Sequence, residues 1–151
     1  MSVAASSVAG MIHPWRRLRA LTDVTLLWHD DGPMGETDFE AGTISIRRGL
    51  TWEERRCTVL HEVLHVERGP VPGGLADREE LRVQKETARL MLPSVKAIGD
   101  AYAWAQGDDE GAAAELGVDV DVLRTRMRYM THPTERGYLA RRFDQDGGQH
   151  L

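Results

Sequence analysis

Apolar residues recur along this chain in two rhythms. In "VTLLW" (24–28) they are clustered and β-branched, and in "TISIRR" (43–48) they alternate: Ile44 and Ile46 point one way, Ser45 and Arg47 the other. Both stretches predict strands. From residue 51 the rhythm lengthens to that of a helix, with Val59, Leu60, Val63 and Leu64 as an apolar stripe. Thr51 and Glu54 have the spacing of a capping box at its start, and Gly69 and Pro70 end it. A second helix is predicted over 77–92, with Leu81, Ala88, Met91 and Leu92 inward. Pro93 stops it, and Ser94 caps a third helix through Gln106. Residues 108–130 read as helix, tight turn at Gly117 and helix, and 132–143 as a last helix near Pro133. Upstream, Pro14 opens a short basic helix. The segment 29–42, dense in Gly, Asp and Pro, predicts turns.

These elements describe an α+β fold: a small antiparallel sheet of two or three strands packed on a mainly helical domain. The expected organisation is a disordered tail over 1–12, a core over 13–107, a helical segment over 108–143 on the same domain, and a tail over 144–151. A chain of 151 residues suits one domain. A net charge of −5 provides no basic field to draw nucleic acid or acidic lipid. Cys57 is the single cysteine, so an internal disulfide is excluded and a reducing, cytoplasmic location is expected. No apolar run approaches the ~20 residues that span a bilayer. "MSVAASSVAG" lacks the basic and hydrophobic regions of a signal peptide.

Chemistry concentrates in "CTVLHEVLHVERGP" (57–70). His61 and His65 are four apart on the first long helix, so their imidazoles face one point. Two neutral ring nitrogens in that arrangement suit Zn²⁺. Glu62 stands where a base can take a proton from water activated by the ion. The alternative is a solvated pair of surface histidines, but the H-E-x-x-H pattern carries a peptidase mechanism. Catalytic zinc takes three protein ligands, and the third can come from Glu67, Asp77, Glu79, Glu80 or Glu86. Gln84, one turn after Glu80, is placed to orient a histidine as an outer-shell partner. Cys57 shares the face of His61 and reads as a small buried hydrophobe.

"TISIRRGLTWEERRCTVLHEVLHVERG" followed by "EELRVQKETARLMLP" resembles the ImmA/IrrE family of zinc metallopeptidases, over roughly residues 40–95. His61, Glu62 and His65 match the family's first motif. Counting back from "LMLP", Glu80 falls on its acidic ligand, Val83 on an alanine and Gln84 on an Asn/Asp position. Glu86 replaces the usual aromatic, and the linker from His65 to Glu80 is short; Glu79 and Glu86 are the alternative ligands. The resemblance implies a zincin-like core over 13–107, in which Ile44, Ser45 and Ile46 would lie at the cleft edge and pair with an extended substrate. It also implies a protein substrate, such as a transcriptional repressor.

"AAAELGVDVDVLRTRM" resembles a helix-turn-helix, with Ala113, Gly117 and Leu123 at the motif's spacing and Arg124, Arg126 and Arg128 along the second helix. Residues 108–130 hold six acids against three arginines, a poor field for phosphates. Trp15, Trp28, Trp52 and Trp104 read as anchors, and Tyr129, His132 and Tyr138 as candidate oxyanion donors. The expected function is therefore zinc-dependent endopeptidase activity on a regulatory protein. The other reading is a non-catalytic module that keeps the zinc site and binds protein or DNA.

Overall fold

The computed structural model describes residues 12–147; the tail expected over 1–12 lies outside these apart from Ile12, as do residues 148–151 of the C-terminal tail. The described residues form an α+β structure of seven α-helices and one three-stranded sheet. They divide into two compact units, Ile12–Thr87 and Ala88 onward. The sequence reading ran the core to residue 107, with 108–143 on the same domain; in the structure the third helix of that reading packs with the helices that follow it.

The first unit begins with α1 (Pro14–Arg19), whose proline is preset for a first helical turn. Strands β1 (Thr25–His29), β2 (Gly35–Asp38) and β3 (Thr43–Arg47) follow, then α2 (Trp52–Arg68), a 3-10 turn (Gly73–Leu75) and α3 (Ala76–Met91), of which the residues through Thr87 belong to this unit. The sheet order is β1-β3-β2. It is mixed rather than antiparallel: β3 runs parallel to β1 and antiparallel to β2. Strand β2 formed where turns alone were expected. Its sequence, GETD, has little strand propensity of its own, and it is held by pairing with β3 on one side and by packing of α2 on its face.

Alternation in β3 works as read. Ile44 and Ile46 are fully buried and join Leu18, Leu50, Val59 and Val63 in one apolar cluster. Burying each such side chain stabilises the fold by roughly 1.5–3 kcal/mol. On the other face, Ser45 Oγ lies 2.6 Å from His29 Nδ1, while His29 Nε2 lies 2.6 Å from the Pro33 carbonyl. A carbonyl only accepts, so Nε2 donates and Nδ1 accepts from Ser45. This bridge ties β1, β3 and the turn into β2 together.

Helix α2 opens with the capping box: Glu54 N donates to Thr51 Oγ1 at 3.1 Å, and Thr51 N donates to Glu54 Oε1 at 2.9 Å. It ends at Gly69, whose φ of 84° favours glycine. Arg17 grips Glu67 through two N–H groups, each at 2.7 Å, and fixes α1 against α2.

The second unit contains α4 (Val95–Trp104), α5 (Asp109–Leu116), α6 (Val120–Arg128) and α7 (Pro133–Gly147). Ser94, Asp108 and Asp119 cap the first three through their side chains. Gly117 makes the left-handed turn between α5 and α6 at φ 71°, and Ala113 and Leu123 are buried. The arginines of α6 do not form an open row. Arg126 is buried and donates to the Leu92 carbonyl at 2.8 Å, Arg124 pairs with Asp109, and Arg128 stacks over Tyr129. Helix α7 runs past the expected end at 143, so the first residues of the expected tail are helical. No helix among the described residues is long and apolar enough to cross a membrane.

Candidate metal centre

The inward stripe of α2 fixes its roll. With Val59 and Val63 in the core, His61 and His65 turn to a partly open face one helical turn apart. Their rings meet edge to face with centroids 4.8 Å apart, and their Nε2 atoms are 3.2 Å apart. After Gly69 the chain reverses through the Gly73–Leu75 turn, and α3 brings up a carboxylate. Glu80 Oε1 lies 2.9 Å from His61 Nε2, and Oε2 lies 2.8 Å from His65 Nε2. Among the described residues these three side chains form a grouping that could hold a metal ion, with donor atoms within 4.8 Å of one another.

The donor set suits zinc. Its two Nε2 atoms are 3.2 Å apart, and the Glu80 carboxylate meets one of them with each of its oxygens, at 2.9 and 2.8 Å, so the three side chains converge on one point. Two imidazoles and one carboxylate are also a donor set that zinc accepts with a fourth position free. Without an ion, protons hold the cluster together. Hydrogen bonds from His61 and His65 keep the Glu80 carboxyl well below the usual carboxylate range. The hydrogen bond to Glu80 raises the His65 pKa against the opposing effect of burial.

Two of the other candidate acids, Glu79 and Glu67, are held by arginines. Glu79 is clasped by Arg68, through Nε to Oε1 and through Nη2 to Oε2 at 3.2 Å. Glu86 lies seven residues on from Glu79 and so on the same side of α3; its charge acts on Arg17 and Arg68. Glu67 holds Arg17. Asp77 is exposed in the first turn of α3. Gln84 does not orient a histidine: its Nε2 donates to Glu80 Oε1 at 3.4 Å, so it acts on the carboxylate. Cys57 is buried and lies outside the three-residue grouping.

Glu62 is almost fully buried, and its Oε2 accepts a hydrogen bond of 2.6 Å from Thr37 Oγ1. It lines a cleft of about 400 Å³ together with His61, His65, Glu80 and the β2 residues Gly35, Glu36 and Thr37. Phe39, Pro70 and Val71 supply apolar wall. The oxyanion candidates Tyr129, His132 and Tyr138 belong to the second unit.

The strand expected to pair with a substrate is corrected here. Ile44, Ser45 and Ile46 lie on the central strand, with partners on both sides, and the two isoleucines are core. The open edge beside the cleft is β2. Arg47 N donates to Met34 O at 2.8 Å, and hydrogen-bonded pairs alternate along an antiparallel ladder. With the observed register, Glu36 and Asp38 bond to β3, while Gly35 and Thr37 turn their N–H and C=O groups to the open side. Sequence reasoning missed Gly35 and Thr37 because a four-residue polar strand inside a turn-rich segment has no periodic signal. Compared with known proteins, the chain matches no family model, no curated protein and no solved structure.

Proposed function

We propose that this chain is a zinc-dependent peptidase that cleaves a regulatory protein, with a zincin-like core. The observation that carries the reading is the pairing of a compact His61–His65–Glu80 donor set with a buried glutamate, Glu62, in the same cleft. A structural metal site has no use for that fourth residue. His61, His65 and Glu80 hold the ion, and Gln84 steadies the Glu80 carboxylate. When bound, Zn²⁺ lowers the pKa of water and polarises the scissile carbonyl. Glu62 takes the proton from that water at Oε1 and returns it to the leaving amine. The open edge of β2 holds the substrate backbone as an added strand, through Gly35 and Thr37. The resemblance of residues 40–95 to the ImmA/IrrE family supports the same ligands. It also suggests a transcriptional repressor as substrate and a cytoplasmic setting; both rest on that analogy alone.

The test is cleavage of an acetylated random-peptide mixture, followed by mass spectrometry. Zinc-loaded protein is expected to cut, to stop after treatment with 1,10-phenanthroline, and to resume when Zn²⁺ is restored. Cleavage that persists after the metal has been removed would overturn the reading.

Proton and metal compete for the same atoms, which sets the pH dependence. In the metal-free protein the raised His65 pKa stabilises the fold below its unfolded value near 6.5, and that contribution is lost as pH rises through the folded value. The lowered Glu80 pKa contributes above its unfolded value of 4.5 and is lost as pH falls towards the folded one. The clasp is therefore fully present only between these unfolded values. Zinc must displace the His65 proton, so its affinity increases with pH. The zinc-induced rise in melting temperature is expected to be larger at pH 8 than at pH 6. An equal or smaller rise at pH 8 contradicts this assignment.

A further inference from the structure

We infer that Thr37 is a positioning residue for Glu62, so that the strand offered to the substrate also aims the base. The inference rests on the peptidase reading above. Three observations meet at one place. Thr37 Oγ1 donates to Glu62 Oε2 at 2.6 Å, a short contact to a carboxylate that is 6% exposed. This occupies one carboxylate oxygen and leaves Oε1 for the reacting water. Next, Gly35 brings β2 directly onto α2 beside that carboxylate. A Cβ at this position would stand 2.6 Å from Thr58 Cγ2, 2.8 Å from Glu62 Cγ and 2.9 Å from Glu62 Oε1. The glycine is required by space and not by its backbone angle, since its φ is not positive. Finally, Gly35 and Thr37 are the β2 residues whose main-chain groups face the open edge. Their side-chain positions face α2 while their backbone faces the cleft.

Substrate pairing therefore uses the Thr37 main chain, and base alignment uses its hydroxyl. The two can be separated by substitution. Thr37→Val keeps the β-branched shape and the main-chain groups but removes the donor. Thr37→Ser keeps the donor. With a peptide that the wild-type protein cleaves, Thr37→Val is expected to lower kcat about 100-fold, as loss of alignment at a reacting group does. KM is expected to stay within about threefold. Thr37→Ser is expected to restore kcat to within about threefold of wild type, and zinc content to stay at one ion per chain in both. A merely structural role for Thr37 would not separate kcat from KM in this way. A Thr37→Val protein with wild-type kcat overturns the inference.

A second readout needs neither metal nor substrate. NMR relaxation of the Glu62 side-chain methylenes in the zinc-free protein is expected to report a rigid side chain in wild type and Thr37→Ser, and a mobile one in Thr37→Val. A mobile Glu62 in the wild-type protein overturns the inference even if Thr37→Val fails to fold. Failure of the peptidase reading alone would show as absent cleavage with the rigid Glu62 retained.

Discussion

Glu62→Gln protein is expected to keep one zinc ion per chain and to lack the proposed peptidase activity. The substitution is nearly isosteric and leaves the three ligand donors untouched, because Glu62 is outside the His61–His65–Glu80 grouping. The glutamine carbonyl can still accept the Thr37 hydroxyl, so the buried contact is kept in kind. An amide cannot take up the proton that the reaction releases. General base catalysis contributes about 10²–10⁴-fold, and kcat should fall by that factor. Turnover of a wild-type-cleaved peptide, measured beside zinc content, checks this. Retained turnover with zinc bound would remove Glu62 from the mechanism.

The second large effect concerns the third ligand. Glu80→Ala is expected to weaken zinc binding by more than about 100-fold, beyond the 10–100-fold that loss of an outer-shell partner costs. Two imidazoles one helical turn apart then remain, without the carboxylate that now lies within 2.9 Å of both. Glu79→Ala and Glu86→Ala are expected to leave zinc affinity within about threefold of wild type. Glu79 spends its carboxylate on Arg68, in a solvent-screened pair whose loss does not touch the three donors. The measurement is competition with a chromophoric chelator across the three variants. Loss of zinc in Glu79→Ala with retention in Glu80→Ala would reverse the assignment.

What could be read from the sequence was what local rules decide. The capping box, the inward stripe of α2 and the His61–His65 face depend on residues three or four apart, and helical geometry brings those together wherever the helix packs. Choosing among the glutamates was different in kind. Glu79, Glu80 and Glu86 are all plausible on α3 by composition; only the resemblance favoured Glu80. The structure shows a reason that sequence could not contain: Arg68 clasps Glu79, while the Glu80 carboxylate reaches both histidines. The sheet was harder still. β2 has no apolar alternation, and its existence depends on β3 as a partner and on α2 as a lid. The resemblance placed Ile44, Ser45 and Ile46 at the cleft edge; with β2 illegible in the sequence, nothing pointed to Thr37 and Gly35 instead. The Arg126 side chain failed for the same reason: a long-range acceptor, the Leu92 carbonyl, buries a residue that spacing alone would expose.

X-ray absorption at the zinc edge, on wild-type protein loaded with one equivalent of Zn²⁺, reads the proposed ligand set itself. Four-coordinate zinc is expected, with two imidazoles at ~2.0–2.1 Å, carboxylate and water oxygens at ~2.0–2.2 Å, and no sulfur. In Glu80→Ala protein that coordination should be lost. A sulfur ligand at ~2.3 Å, a shell without two imidazoles, or an unchanged spectrum in Glu80→Ala would contradict it.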